Sequence, residues 1–495
     1  MVDGTIPCGP GTSDLLYSLA HVTSRRGNRV RERPRRLLLR ALLATTVVAL
    51  LVASGVAVAV LHGRGSLNSF LCEGPCGPQY VANPDGLEVL DPAGQQLSSP
   101  PVVDADAAAV EAALEPALAQ PLLGPRVGVS VRELGGTELF TSTSDAFIPA
   151  STTKVLTGFA TLTTLDPRQR FSTTTVLDRS GLDGTRLVLV GGGDPYLMAT
   201  PGDRGFAAPA DLQTLAERTA EQLDRQGVTQ VQLGYDATLF TGPASNPTWE
   251  PGYASQNVVS PIAALWVDRG RVDKRRVEDP PLAAAQIFAA QLGQLGLTVT
   301  GVEPVEAPAS ATPVAEVEGP TVAQAVERME LMSDNGAAEV LARHVAIATG
   351  GEASFDGATS AVVAALAAAG VETDGLVLRD GSGLSRQNRI GPSTLTSVLA
   401  TADDVTPGLV ADLPVAGFSG TLAERFDGVA GRGLARVKTG ALNQVHSLAG
   451  TVTTADGVVL TVAVMIDQAD LAQTLASRAA VDAVVASLAS CTCAG

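Results

Sequence analysis

The chain has 495 residues, which calls for two or three compact units plus a tail rather than one ordinary domain. Hydrophobic residues make up 45% and aromatics only 4%, so small aliphatic side chains must fill the core. The formal net charge is −17 and no basic patch accompanies that excess of acid, which excludes nucleic acid as a partner.

Dense positive charge occurs in one place, from Arg25 to Arg40, and it abuts an apolar run from Ala41 to Leu61. About twenty apolar residues are enough to span a bilayer as a helix. The basic flank should stay in the cytoplasm, which places the rest of the chain outside. A cleaved signal peptide, cut near Ala57-Val58-Ala59, is the alternative. Its apolar region is usually only about 7–15 residues, so the longer run here favours an uncleaved anchor. The expected organisation is a basic cytoplasmic leader (1–40), a transmembrane anchor (41–61) and a stalk rich in Gly, Pro, Asn and Ser (62–100). The expected location is the cell membrane, single-pass with the catalytic domain extracytoplasmic, or secreted if the apolar segment is cleaved.

Cys8 falls on the cytoplasmic side, Cys72 and Cys76 just outside the membrane, and Cys491 and Cys493 at the C-terminus. Four cysteines in an oxidising compartment read as disulfides, with three possible connectivities. Because a Cys-x-Cys ring is strained, a staple from stalk to tail is the expectation. No histidine lies near either pair, so no metal site is expected.

Past the stalk, Asp104 to Ala119 reads as a helix. Val127–Leu134 and Thr137–Ser142 read as strands about a Gly-Gly turn. Ser151–Thr164 reads as a helix that starts at the serine. Strands at 173–177, 187–190 and 228–233 with a helix at 210–225 suggest a small α/β unit ending near Arg271. Helices follow at 281–295, at 321–350 with a break at Ser333-Asp334-Asn335, and at 354–368. A strand at 433–438, a hairpin at 447–466 and a helix at 471–488 complete the chain. Strands at both ends of this region imply one sheet assembled from distant segments.

Three short motifs carry the chemistry. In Ser151-Thr152-Thr153-Lys154 the serine sits at a helix N-terminus, where the dipole favours developing negative charge. The lysine lies one turn on, on the same face. An amine can be desolvated and deprotonated whereas a guanidinium cannot, so Ser-x-x-Lys makes a nucleophile with its base. The chain contains only three lysines, Lys154, Lys274 and Lys438, and uses arginine elsewhere. That census marks Lys154 as an amine retained because it must titrate. In Ser333-Asp334-Asn335 the serine hydroxyl can relay a proton, while the Asn335 amide holds the substrate carbonyl and the lysine. Alone, this motif reads equally as a capping turn. In Lys438-Thr439-Gly440, at the end of a strand, a cation and a hydroxyl can grip a carboxylate, and the glycine admits close approach to the backbone. The N–H groups of Ala441 and Ser151 would form an oxyanion hole.

Together, in this order, the motifs resemble those of DacB-type D-alanyl-D-alanine carboxypeptidases/endopeptidases, the low-molecular-mass class C penicillin-binding proteins. The resemblance covers roughly residues 100–490. It extends to Leu189–Pro195, Val267-Asp268-Arg269-Gly270, Asp380–Ser385 and Leu413–Gly417. It implies an α/β (α+β) fold, a transpeptidase/β-lactamase-like catalytic domain split by a small inserted α/β domain. The expected boundaries are 101–170 for its first part, 171–272 for the insertion, 273–490 for its second part and 491–495 for the tail. Family members commonly carry two inserted domains, one nested in the other. The short gap between Lys154 and Ser333 implies that only the first is kept.

The implied activity is serine-type D-Ala-D-Ala carboxypeptidase, or D,D-endopeptidase, on peptidoglycan stem peptides, with β-lactam antibiotics as inhibitors and no cofactor. Trp249 and Tyr253 are candidates for the pocket around the peptide stem, with a packing role equally open. A serine β-lactamase shares the motifs but needs a deacylation base, and none stands out. A non-catalytic wall-binding module would not need the intact Ser151, Lys154, Ser333 and Lys438. His344 and His446 show no Ser-His-Asp order, and Gly191–Gly193 lacks the lysine of a phosphate loop.

Overall fold

The computed structural model describes residues 104–179, 186–202 and 209–495. The expected leader, anchor and stalk, with Cys8, Cys72 and Cys76, lie outside the described residues. Among the described residues no helix is long and apolar enough to cross a membrane.

Helix α1 (Ala107–Leu118) is capped by Asp106, whose carboxylate accepts the Ala108 N–H. Strands β1 (Val127–Glu133) and β2 (Glu138–Thr141) follow, then a tight turn at Ala150–Thr152 leading into α2 (Thr153–Thr164). The chain then builds β3 (Arg170–Asp178), β4 (Arg186–Gly191), α3 (Leu212–Arg225) and β5 (Gln230–Asp236). A two-residue ribbon, β6 (Arg271–Val272) with β7 (Arg275–Arg276), precedes α4 (Pro280–Gln294), β8 (Thr298–Pro304) and β9 (Thr312–Thr321). The helices α5 (Val322–Met332), α6 (Asn335–Ala348), α7 (Phe355–Ala368) and α8 (Pro392–Val405) come next. The chain closes with β10 (Ala435–Leu442), β11 (Val445–Thr453), β12 (Val459–Ile466) and α9 (Thr474–Ala489).

The first sheet has the order β10-β11-β12-β1-β2 and is antiparallel throughout. It joins the two ends of the described chain, as the strand pattern implied. β11 and β12 are almost wholly buried because both faces of the sheet are covered. Alternate residues divide between two cores. Val462, Val464 and Ile466 pack with α1 and α9 on one face, while Ala463 and Met465 pack with α2, α6 and α8 on the other. Ala449 and Ala463 are direct cross-strand partners. Their small side chains keep the second face shallow, so the helical layer can seat closely.

The second sheet, β8-β5-β4-β3-β9, is covered by α3 and α4 through a separate core of Leu187, Leu189, Leu215, Leu233, Phe288 and their neighbours. β4, β5 and β8 are parallel and are linked by those helices, whereas β3 and β9 are antiparallel additions. This corrects the expected insertion boundary of 272. Helix α4 and strands β8 and β9 belong to the second sheet's module, which therefore runs to Thr321. The polar alternation of β8 hid it in the sequence, since most of its side chains lie on the surface. β9 passes directly into α5, whose start is fixed by a capping box between Thr321 and Gln324. The module thus leaves the chain after α2 and returns it at α5, between the first two motifs.

At the C-terminus Cys491 and Cys493 are bonded to each other, with Cα atoms 5.3 Å apart. This corrects the expected staple from stalk to tail. The tail is instead held by backbone pairing, with Asp106 N–H donating to the Cys493 carbonyl at 2.8 Å and Gly495 N–H to that of Asp104 at 2.8 Å.

Candidate active site

Ser151 sits on the turn entering α2, and that turn is built under constraint. Ala150, immediately before it, is fully buried with φ +49°, a conformation that costs a non-glycine residue about 1 kcal/mol or more. The neighbours leave it no alternative. Thr153 Oγ1 donates to the Ala150 carbonyl at 2.9 Å. Thr152 Oγ1 and Ser447 Oγ donate to the Pro149 carbonyl at 2.7 Å and 2.6 Å. Gly383 lies against the same turn, where a Cβ would stand 1.8 Å from the Ala150 carbonyl oxygen.

Lys154 is fully buried and its Nζ lies within hydrogen-bond distance of three acceptors. These are Ser151 Oγ at 3.0 Å, Asn335 Oδ1 at 2.8 Å and the Ser382 carbonyl at 2.6 Å. A neutral amine has two N–H donors and one lone pair. Asn335 and Ser382 can take both donors, which leaves the lone pair facing the serine hydroxyl. Burial brings Lys154 from 10.5 down to about 8, against the opposing pull of Glu330, Asp380, Glu339 and Asp334.

Ser333 occupies the break between α5 and α6 in the left-handed region, φ +54°. Its Oγ accepts a hydrogen bond from Lys438 Nζ at 2.8 Å, and Lys438 also donates to the Thr439 carbonyl at 3.0 Å. Lys438 is fully buried, and its ammonium is pushed down by that burial first and by the charge of Lys154 second. Asp334 caps α6 by accepting the Ala337 N–H at 3.1 Å, and it is clamped by Arg269 Nη1 at 2.8 Å. Burial pushes the Asp334 carboxyl up, but Arg269, joined by the Ala337 N–H and Lys154, offsets this and holds it below the usual range.

The third motif lies inside β10, not at a strand end as its sequence implied, because β10 runs on to Leu442. β10 is an edge strand. Val437 N–H points away from β11 to the Pro414 carbonyl, so the N–H groups of Thr439 and Ala441, two and four residues on, point the same way. The outer edge of β10 beside Ser151 therefore presents backbone donors. Thr439 is half-buried and donates its hydroxyl to Thr421 Oγ1 at 3.0 Å. Gly440 admits a close approach, but by the protein's own chain. A Cβ there would fall 2.1 Å from Ser447 Oγ and 2.6 Å from the Pro149 carbonyl.

The structure thus brings Ser151, Lys154, Ser333, Asn335, Lys438, Thr439, Gly440 and Ala441 to one place. Trp249 and Tyr253 are tied into packing. Trp249 Nε1 donates to Asp380 Oδ2 at 2.7 Å and its ring meets Phe355 edge-on, while Tyr253 is buried in the same small core. His344 is buried, bonds the Gly193 carbonyl at 2.9 Å and is lowered to about 4 by burial.

Sequence reasoning assigned no role to three groups that hold the site. Asp380 is fully buried and accepts from Gly383 N, Ser385 N, Asn388 Nδ2 and Trp249 Nε1, which shapes the loop that offers the Ser382 carbonyl to Lys154. Arg269 reaches in from the inserted module. Glu330 lies buried one turn before Ser333. The first two fall in segments already noted as similar to the family, so a signal existed, whereas Glu330 had none.

The family model described as D-Ala-D-Ala carboxypeptidase 3 (S13) family matches residues 110–275 and 271–488. The chain belongs to the D-Ala-D-Ala carboxypeptidase 3 (S13) family. The chain is similar to a carboxypeptidase of Mycobacterium tuberculosis, 39% identical over 379 residues, covering 73% of this chain and 80% of that one. Carboxypeptidase DacB of Mycolicibacterium smegmatis is 36% identical over 463 residues, covering 90% of this chain and 96% of its own. The crystal structure of penicillin binding protein 4 (dacB) from Haemophilus influenzae superposes with a TM-score of 0.63 at 22% identity, covering 74% of this chain and 98% of that one. At that identity the likeness establishes the S13 fold.

Proposed function

We propose that this S13 protein is a serine-type D-Ala-D-Ala carboxypeptidase that trims peptidoglycan stem peptides through an acyl-enzyme on Ser151. The carrying observation is the three-point seat of Lys154, which holds its amine 3.0 Å from the Ser151 hydroxyl. A peptide ending in D-Ala-D-Ala lies along the outer edge of β10, its terminal carboxylate against Lys438 and Thr439. That negative charge favours the proton on Lys438, and the charged Lys438 in turn disfavours one on Lys154.

Neutral Lys154 takes the Ser151 proton, and Oγ attacks the penultimate D-Ala carbonyl carbon. The oxyanion meets the Ser151 and Ala441 N–H groups. Collapse breaks the peptide C–N bond. Ser333 delivers its proton to the leaving amine and is reprotonated from Lys154, so free D-Ala departs with no net change in protons. Water, activated by the same lysine, hydrolyses the ester and restores Ser151. Asn335 orients both the lysine and the substrate carbonyl. A β-lactam opens on the same serine and occupies it as a slowly hydrolysed ester. An endopeptidase reaction on a D-Ala cross-link uses the same groups with a larger leaving amine.

Fluorescent penicillin labelling tests this reading. Wild type is expected to be labelled covalently and Ser151→Ala not at all, and an unlabelled wild type would sink the acyl-enzyme. Release of D-Ala from a pentapeptide, compared with cleavage of a cross-linked dimer, ranks carboxypeptidase against endopeptidase.

The apolar run 41–61 beside Arg25–Arg40 supports a single-pass anchor with the catalytic region outside. The enzyme should then stay with membranes through an alkaline carbonate wash. Release into the wash, with a new N-terminus after Ala59, would replace the anchor with a cleaved signal.

A further inference from the structure

Glu330 on α5 is fully buried, and neither carboxylate oxygen has a hydrogen-bond partner among the described residues. A buried polar group left unpaired is costly and calls for a reason. Its position supplies one. Glu330 lies one helical turn before Ser333, and its backbone carbonyl accepts the Ser333 N–H at 3.4 Å. Its side chain reaches across to α2, where a Cβ on Gly158 would stand 2.9 Å from Oε1. Gly158 lies four residues past Lys154, on the same face of α2. The carboxylate is therefore wedged between the two helices that carry the nucleophile and the proton relay. Its other neighbours at Gly158, Val326 and Leu409, are apolar and would accept a leucine or methionine as readily.

We infer that Glu330 is a positioning residue that supplies the buried negative charge against which Lys154 and Lys438 hold their protons. Burial pushes its carboxyl up to about 7, against the pull of Lys438 and Lys154, so its charge and theirs are mutually dependent. With Glu330 ionised, one ammonium can persist in the desolvated site. Burial brings Lys154 to about 8, and burial with the charge of Lys154 brings Lys438 to about 7, so it is the arriving substrate carboxylate that draws the remaining proton onto Lys438 and leaves Lys154 neutral. Other charged groups face this cluster. Asp412 faces Glu330, while Asp380, Glu339 and Asp334 face Lys154, and Arg425 faces Lys438. Asp334 is neutralised by Arg269, and Glu339 by Arg343 at 3.6 Å. Asp380 is spent on four N–H groups. Glu330 makes neither kind of contact, so its charge is directed at the lysines.

The inference rests on the acyl-enzyme reading, and one experiment separates the two. The full chain and its Glu330→Gln variant, of the same shape without the charge, are acylated with fluorescent penicillin from about pH 5 to about pH 10, a range that brackets carboxyl and amine titration. Loss of the negative charge lowers the proton affinity of both lysines. The acid limb of the rate profile, where the lysine pair gives up its first proton, is expected to move down by about one pH unit. The alkaline limb, where the pair gives up its second, should move the same way. Labelling with both limbs unmoved overturns the inference, and no labelling of the wild type overturns both readings. Glu330→Asp keeps the charge and loses a methylene, so it should retain the wild-type limbs. A shift there as large as in Glu330→Gln assigns Glu330 to packing and overturns the inference. Should Glu330→Gln fail to fold, Glu330→Met, which removes the charge and suits the apolar neighbours Val326 and Leu409, takes its place, and unmoved limbs there overturn the inference.

Discussion

Arg269 of the inserted module stands 2.8 Å from Asp334, the central residue of Ser-Asp-Asn, and the Asp334 side chain is only 7% exposed. The module is therefore bolted to the catalytic centre and is more than a decoration on it. Arg269 reaches Asp334 from a left-handed turn in which Asp268, Arg269 and Gly270 all have positive φ. Asp334 in turn starts α6, so the same contact fixes where Ser333 and Asn335 stand.

Arg269→Ala leaves a buried carboxylate unpaired. We expect a loss of about 2–3 kcal/mol in unfolding free energy, since the guanidinium itself is 37% exposed and partly screened. Asp334→Asn removes the charge yet can still cap α6. The double variant should then be less destabilised than the sum of the singles. Chemical denaturation of the four proteins measures the coupling, and strict additivity would contradict the clamp.

Lys154→Arg keeps a cation one turn from Ser151 but cannot give up its proton. Acylation by a penicillin should fall by about 10³-fold, within the range that general base catalysis contributes. Stopped-flow or gel-based labelling measures it. Retention of more than a tenth of the rate would mean that another group takes the serine proton.

The pH dependence of stability follows from the same lysine. Burial lowers Lys154 from 10.5 to about 8, so between those values the unfolded chain binds more protons than the folded one. Stability from this group therefore rises with pH across about 8 to 10.5, by up to about 3 kcal/mol, and the penalty is fully present below 8. Lys154→Met lacks the titration. The unfolding free energy of wild type relative to that variant should climb through this window, as read by denaturant titrations at several pH values. A flat difference would mean that the amine is already charged without penalty.

Gly440→Ala puts a methyl 2.6 Å from the Pro149 carbonyl and 2.1 Å from Ser447 Oγ. Ser447 can rotate, but the backbone carbonyl cannot. β10 must draw back from the turn that carries Ser151, at a cost of about 1–3 kcal/mol. The Ala441 and Ser151 N–H groups then part, so acylation should drop by about 10²-fold with a smaller change in substrate affinity. Labelling kinetics over a range of penicillin concentrations separates the two effects.

The sequence by itself determined which residues could carry the proposed chemistry. Ser151, Lys154, Ser333, Asn335 and Lys438 are legible because each motif is local. Residue type and short spacing decide what a serine and an amine one turn apart can do, and the scarcity of lysine singled out Lys154 and Lys438. The joining of distant strands into one sheet was also legible, because β11 and β12 are apolar enough to be buried on both faces.

The tertiary structure alone decided how the motifs are held. Nothing in the local pattern of β8 reveals that it belongs to the inserted sheet, since most of its side chains lie at the surface. The Ser382 carbonyl that seats Lys154 is a backbone group on a loop more than two hundred residues away, shaped by Asp380. Glu330 looks in sequence like any other surface charge, and Arg269 is marked only by the family likeness of its segment. Their roles arise from burial and from opposing charges brought together by folding, and neither is encoded in the spacing of neighbouring residues.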